Sequence, residues 1–207
     1  MNWTNAINDF IDYLKIERGF SVNSISSYKE DITKFKKYIN NSKNPLEINA
    51  DDIKGFLHNI SKELNSTSQS RIISGLRSFF EFLIFEKYIK DNPLNLIESP
   101  KTSRKLPDVL SLEEIDVLIS KIDLSKEQGE RNLAIIELLY GCGIRVSELV
   151  GLKISDLFFE ENFIKVTGKG NKQRLIPIGN LTIQKINNYL HNSRNNVKVI
   201  NTFNDHV

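Results

Sequence analysis

Residues 72–84 read IISGLRSFFEFLI, and this stretch decides the fold of the first half of the chain. Its apolar residues recur at helical spacing and cover a wide face of a helix that we expect to run from about Ser66 to Tyr88. A stripe this wide is typical of the central helix of a small bundle. The sequence therefore predicts that other helices surround this segment.

Three amphipathic segments precede this helix and supply those neighbours. The first runs from Trp3 to Leu14, and Ser21 and Asn49 are good N-caps for the second and third. The run Asp91-Asn92-Pro93 ends the bundle, because proline and its predecessor both disfavour a helix. The sequence predicts a four-helix N-terminal domain over residues 1–98.

Residues 99–107 are the best candidate for a linker. Ser99-Pro100 and Leu106-Pro107 are turn signals, and the segment also carries Lys101, Arg104 and Lys105 with no acid between them. Two interpretations stay open, which are a solvated linker and a basic strap that lies on a phosphate backbone.

A second unit is expected over residues 108–207. Ser111 and Glu114 predict a capping box at its first helix. From Leu157 to Ile178 the pattern alternates and indicates short antiparallel strands around a turn at 159–162, and a closing helix follows from Thr182 to Leu190. The predicted fold class is therefore mainly α with a small antiparallel β-sheet. Val197, Val199 and Ile200 suggest a strand in the tail.

The composition limits the class of protein but does not indicate a binding partner. The net charge is only +2, so a nucleic-acid site must rest on local clusters of cations. The single cysteine, Cys142, excludes an internal disulfide, suits a reducing compartment and is interpreted as a small core residue. No apolar run is long enough for a signal peptide or a membrane span, so we expect a soluble, cytoplasmic protein that binds no membrane.

The segment 141–149, GCGIRVSEL, is a candidate site for chemistry. Arg145 follows two glycines that permit a sharp turn, and Glu148 lies three residues further on. A guanidinium can bind two phosphate oxygens at once. On local grounds alone, a structural arginine paired with Glu148 is the stronger interpretation.

The segment 168–174, GKGNKQR, is a candidate phosphate-contacting turn. Lys169, Lys172 and Arg174 stand there with Lys165 just before, and no acid lies among them. Phosphate contacts of this kind dominate affinity for nucleic acids. A solvated basic hairpin is an equally good interpretation, and the phosphate loop of nucleotide-binding proteins is not matched.

These two segments, together with 17–21, 75–83, 91–93 and 106–111, resemble the tyrosine site-specific recombinases of the phage integrase family, most closely those of the bacterial Xer type. The resemblance covers nearly the whole chain. It implies a SAM-like core-binding domain followed by the N-terminal part of a catalytic domain. It also implies DNA cutting and rejoining through a 3′-phosphotyrosine, as in chromosome dimer resolution, with no metal or nucleotide cofactor. The implied partners are double-stranded DNA and a homo- or hetero-tetramer of recombinases.

The resemblance also implies roles for individual residues. Arg145 corresponds to the arginine that binds the scissile phosphate, Glu148 to the acid that orients it, and Lys169 to the lysine that protonates the departing 5′ oxygen. Two helices are expected to cross DNA, and a solvated helix face remains the alternative at each of their candidate contacts: Asn23, Ser24, Ser27, Ser68, Arg71, Ser74 and Arg77.

The chain departs from the family pattern after the lysine turn. The string His191-Asn192-Ser193-Arg194 fits His-x-x-Arg, but it comes too soon and is interpreted as a chance match. Tyr189 fits an apolar helix face better than a nucleophile. We therefore expect the chain to be truncated before these motifs and to bind DNA without cleaving it, which leaves its status as an enzyme open. The alternatives are a natural, non-catalytic protein that regulates or blocks recombination sites, and a helical interaction module without a DNA role.

Overall fold

The computed structural model describes residues 1–40, 42–101, 106–196 and 205–207, which form two compact units, Met1–Leu106 and Pro107–Val207. The division falls inside the predicted linker. Within the described ranges, no helix combines the length and the apolar character that crossing a membrane requires. The predictions for Arg104 and Lys105, and the strand suggested by Val197, Val199 and Ile200, lie outside the described residues.

The first unit contains the four predicted helices: α1 Trp3–Asp12, α2 Val22–Ile39, α3 Ala50–Ile60 and α4 Ser66–Phe85. The predicted N-caps are confirmed, since the Ser21 side chain accepts the N–H of Ser24 and the Asn49 side chain accepts two N–H groups of α3. α1 continues into a π-helical turn over Tyr13–Glu17. α4 ends three residues before the expected Tyr88, because Lys87 takes a left-handed conformation with φ 60°.

The apolar stripe of α4 forms the centre of this unit, as predicted. Phe79 is fully buried and its ring lies 5.5 Å from that of Phe10 and 6.0 Å from that of Trp3. Leu94 and Ile97 join the same core after α4 ends. The predicted end of the N-terminal domain at residue 98 therefore lies directly after Ile97, the last buried residue of the first core.

The second unit contains α5 Leu112–Ser120, α6 Gly129–Gly141, the short α7 Val146–Val150 and α8 Asn180–Asn188. The predicted capping box is present, because Ser111 accepts the N–H of Glu114 and Glu114 accepts the N–H of Ser111. The closing helix starts two residues earlier than expected and passes into a π-helical turn over Tyr189–Ser193.

The sheet of the second unit has the order β1-β2-β3, with β1 Leu157–Phe158, β2 Phe163–Thr167 and β3 Gln173–Pro177, all antiparallel. Ile164 pairs with Ile176, and Val166 pairs with Arg174. Ile164 and Val166 point into a core that also contains residues of α6 and α8. The mainly helical fold with a small antiparallel sheet is thus confirmed. The β2–β3 turn is consequently held at the edge of this core.

Candidate functional site

Arg145 stands at the start of α7, directly after a tight turn. Gly143 has φ 60°, which a glycine adopts without steric cost, and Arg145 itself is extended as the residue before the helix. Glu148 is in the first turn of α7 and accepts the backbone N–H of Arg145 at 2.9 Å. The turn at Gly143 therefore precedes a helix start at which Arg145 and Glu148 are within hydrogen-bonding distance.

Glu148 is a buried carboxylate that gathers two arginines. Its Oε1 accepts from Nη1 of Arg145 at 3.0 Å and from Nη1 of Arg174 at 2.6 Å, and its Oε2 accepts from Nη2 of Arg174 at 2.9 Å. The Glu148 side chain is only 1% exposed, whereas that of Arg145 is 72% exposed. Arg145 therefore keeps most of its N–H donors in solvent while one is fixed from behind.

Hydrogen bonds from Arg174 and from the backbone of Arg145 lower the pKa of Glu148 from 4.5 to about 2. The same carboxylate raises the pKa of Arg174. Glu148 is consequently an anion at any physiological pH. With two guanidinium groups and one carboxylate, the site has a net charge of +1.

The lysine turn joins β2 to β3 beside this carboxylate. The N–H of Gly168 donates to the carbonyl oxygen of Lys172 at 2.8 Å and closes the turn, and Gly170 has φ 73°. Gly168 lies so close to Glu148 that a Cβ on it would be 3.0 Å from Oε1. Lys169, the next residue, is thereby held next to the Arg145–Glu148–Arg174 cluster, with its side chain exposed.

The four cations expected in this hairpin have different environments. Lys165 pairs with Asp156 at 2.8 Å and Arg174 with Glu148, while Lys169 and Lys172 are exposed and have no ion-pair partner within the described ranges. The sequence grouped these cations in one acid-free cluster, with Lys169 as a catalytic candidate and Lys172 and Arg174 as DNA-contact candidates. Arg174 also belongs to the carboxylate cluster, a role that its position 26 residues from Glu148 concealed.

The structure brings four of the DNA-contact candidates in the first unit together. Ser24 and Ser27 of α2 and Arg71 and Ser74 of α4 line one surface depression of about 220 Å³. Asn23 is exposed beside them and its carbonyl accepts from Oγ of Ser27 at 3.0 Å.

The other candidates stand apart from this depression. Ser68 is half-buried near the start of α4, and its N–H binds the cap residue Asn65. Arg77 donates to the carbonyl oxygen of Ile97 at 2.9 Å and so anchors the chain that follows α4. Lys101 is exposed.

Asp31 is a site residue that the sequence did not single out. Its side chain is 3% exposed and accepts from Nη1 of Arg71 at 2.7 Å. Burial raises the pKa of this carboxyl, and Arg71 only partly opposes the effect. The one available signal was its place among the apolar residues of α2, since Ile32 and Phe35 follow it on the buried face.

The residues of the second unit that were interpreted as non-catalytic have structural roles. Tyr189 packs against the second core with Ile183 and Leu190, as predicted. His191 Nδ1 lies 2.7 Å from the carbonyl oxygen of Asn187, and Ser193 bonds to Glu130. Cys142 packs against the same core, and burial raises the pKa of its thiol, which fits a small core residue.

Two family models match most of the chain. Residues 7–87 match the model described as "Phage integrase, N-terminal SAM-like domain", and residues 108–203 match the model described as "Phage integrase family".

Curated relatives match over nearly the whole chain. A tyrosine recombinase XerD from Oceanobacillus iheyensis is 41% identical over 196 residues, which is 93% of this chain and 66% of the relative. A second XerD, from Lacticaseibacillus casei, is 41% identical over 191 residues, covering 91% of this chain and 64% of the relative. The chain thus spans slightly less than two thirds of the length of these relatives.

Solved structures share the fold at low identity. A lambda integrase dimer bound to a COC′ core site has a TM-score of 0.74 at 20% identity, covering 93% of this chain and 56% of that chain. A lambda integrase tetramer bound to a Holliday junction has a TM-score of 0.70 at 21% identity, covering 86% of this chain and 51% of that chain.

Proposed function

Because the chain belongs to the phage integrase family of tyrosine recombinases and is of the XerD-like type, we propose that it binds duplex DNA and takes part in site-specific recombination. Chromosome dimer resolution, the role that the resemblance implies for Xer recombinases, is the setting that we infer. The XerD relatives at about 40% identity support this assignment.

The Arg145–Glu148–Arg174 cluster is the single observation that carries the proposal. A buried carboxylate that is ionised at physiological pH holds Arg145 from one side and leaves the rest of its guanidinium in solvent. An arginine fixed in this way loses little side-chain entropy when it binds a phosphate, and its planar fork fits two phosphate oxygens. Arg145 is therefore the residue that binds the scissile phosphate, and Glu148 orients it.

Lys169 is proposed as the general acid. In the transesterification a tyrosine oxygen attacks phosphorus, the bond from phosphorus to the 5′ oxygen breaks, and that oxygen takes a proton from the lysine ammonium. The close packing of Gly168 on Glu148 keeps Lys169 near the phosphate that Arg145 would hold. Lys172 and the exposed Lys101 are proposed as phosphate contacts, and the strap role of Arg104 and Lys105 stays a prediction.

The 207-residue chain by itself is proposed to bind DNA without cutting it. Tyr189 is packed against the second core, so it is a poor nucleophile. Cleavage then needs a tyrosine from a further segment or another protein. The related lambda integrases assemble as a dimer and a tetramer on DNA, and we propose a homo- or hetero-tetramer for this protein in the cytoplasm.

A salt titration of DNA binding tests the proposal for this chain. We expect the logarithm of the association constant to fall linearly with the logarithm of the salt concentration, with a slope that Arg145→Ala and Lys172→Ala each reduce by about one. Arg131→Ala is the matched control, because Arg131 is an exposed cation whose hydrogen bonds within the described ranges go to the uncharged Gln128 and Asn132. Absent or salt-independent binding would contradict a DNA role.

The catalytic roles are tested in a version extended by the C-terminal segment of a Xer-type relative. Arg145→Ala should abolish covalent complex formation. Lys169→Ala should lose cleavage of normal DNA but regain it when sulfur replaces the bridging 5′ oxygen, because a thiolate leaves without a proton. If Lys169→Ala cleaves both substrates equally slowly, Lys169 is not the general acid.

A further inference from the structure

A buried carboxylate forms the floor of the depression between α2 and α4. This carboxylate belongs to Asp31, whose side chain is 3% exposed, and Arg71 rises beside it with its side chain 47% exposed. Oδ2 of Asp31 accepts from Nη1 of Arg71 at 2.7 Å, and Oδ1 is buried without a hydrogen-bond partner among the described residues. Gly75 permits this arrangement, since a Cβ there would lie 2.9 Å from Oδ2 of Asp31.

The Arg71–Asp31 pair should attract a phosphate less than the Arg145 site does, because one carboxylate faces one guanidinium here, whereas two guanidinium groups share Glu148. The negative charge of Asp31 offsets that of the guanidinium, so the pair attracts a phosphate less than a free arginine would. The hydrogen bond of Asp31 to Nη1 also restrains one end of the guanidinium, while the Arg71 side chain stays 47% exposed. A restrained fork of donors is suited to a pair of acceptors at a known spacing.

The rim of the depression points to the same kind of ligand. Oγ of Ser27 donates to the carbonyl oxygen of Asn23, and Oγ of Ser74 donates to that of Ser70 at 2.9 Å. With their hydrogens used on their own helices, these hydroxyls present lone pairs to the depression. A phosphate offers only acceptors, whereas the edge of a base pair offers acceptors on one base and an amino donor on the other.

We propose that Arg71 reads a guanine in the major groove and that Asp31 is the positioning residue that holds its guanidinium for this contact. Guanine presents two acceptors, O6 and N7, to the groove, while adenine presents one acceptor and one donor. The amino group of the paired cytosine then meets the serine oxygens. The inference rests on the proposed function, because it requires that the chain bind duplex DNA.

Selection from a random duplex pool tests the inference with the 207-residue chain. The wild-type protein should enrich sites with guanine at one fixed position. Arg71→Ala removes the fork, and it should lose preference at that position alone. Asp31→Asn should weaken the same preference, and Lys37→Ala is the matched control, since it removes an exposed cation from the last turn of α2.

The affinity for one selected duplex and for its base-substituted variants measures how much the guanine contributes to binding. Replacing the guanine with another base should weaken wild-type binding about 5- to 150-fold and leave Arg71→Ala unaffected. Replacing it with 7-deazaguanine, which lacks the N7 acceptor, should weaken wild-type binding by a smaller factor. The thermal midpoint of Asp31→Asn shows whether a lost preference comes from the missing carboxylate or from lost folding.

Several outcomes would overturn the inference. If Arg71→Ala weakens binding to all sequences equally and lowers the salt slope by about one, Arg71 contacts a phosphate. If Asp31→Asn keeps the full guanine preference, or loses it only together with its folded structure, Asp31 is not a positioning residue. If the wild-type protein binds no duplex at any salt concentration, the proposed function itself fails, and this inference with it.

Discussion

At the scale of single residues, Glu148 organises the candidate catalytic site. It receives hydrogen bonds from the backbone and side chain of Arg145 and from the fork of Arg174. The sequence indicated the pair of Arg145 and Glu148 because the two are three residues apart. Nothing in the sequence linked Arg174 to Glu148, since only the β2–β3 hairpin brings that strand beside α7.

The depressed pKa of Glu148 predicts a specific dependence of stability on pH. Because the folded pKa, about 2, lies below the unfolded value of 4.5, the stabilisation is fully present above about 4.5 and is lost as the pH falls towards 2. Glu148→Gln should lower the free energy of unfolding at pH 7, and the difference from wild type should shrink through that window. Urea unfolding at several pH values measures it.

The exposed Glu161 supplies the control, because Glu161→Gln removes a turn carboxylate that has no ion pair in the part of the chain that the structure describes. The difference in the free energy of unfolding between wild type and Glu148→Gln is compared at pH 7 and at about pH 2.5 to 3, close to the folded pKa. The same difference at both pH values would contradict the ion pairs described for Glu148.

Gly168 sets the distance between the lysine turn and Glu148. Gly168→Ala would place a Cβ 3.0 Å from a carboxylate oxygen that several hydrogen bonds hold in place, so we expect a loss of about 1–3 kcal/mol in the free energy of unfolding. Gly179→Ala is the control, because a Cβ at Gly179 has no neighbour within 4 Å. Similar stabilities of the two variants would mean that the turn does not press on Glu148.

At the scale of elements, α4 joins fold and function. Its apolar face forms the centre of the first core, while Arg71 and Ser74 on the other face line the depression shared with α2. The periodicity of the sequence defined both faces. It did not show that Asp31 is drawn under Arg71, because that pairing depends on how closely α2 approaches α4 at Gly75.

Phe79 and Phe85 test this assignment of faces on one helix. Phe79→Ala empties a fully buried site and should cost about 3–5 kcal/mol of the free energy of unfolding. Phe85 is 61% exposed, so Phe85→Ala should cost less than about 1 kcal/mol. Chemical denaturation of both variants makes the comparison, and equal losses would contradict the orientation of α4.

At the scale of the whole molecule, the chain has two separate hydrophobic cores. The first contains buried phenylalanines from each of the helices α1 to α4, whereas the second contains no buried aromatic side chain in the part of the chain that the structure describes. The second unit also exposes large apolar residues such as Val109, Val117 and Val150. It should therefore be the less stable unit.

Calorimetry should show two unfolding transitions, the lower one belonging to residues 107–207. Ile164→Ala removes a fully buried side chain from the second core, at a cost of about 2–5 kcal/mol, and should shift only the lower transition. Phe79→Ala should shift only the upper one. A single transition that both substitutions move would show that the units unfold together.

The sequence by itself determined the helices, their caps and the hairpin, because periodicity, capping and turn chemistry are local. Arg145 and Lys169 became site candidates through the resemblance of their segments to a known family. The tertiary structure alone decided which charges are free and which are paired. Arg174, Arg71 and Lys165 look alike as exposed cations in the sequence, yet each meets a carboxylate from another segment of the chain. Such pairs follow from close approach between elements, and local sequence patterns carry no record of that approach.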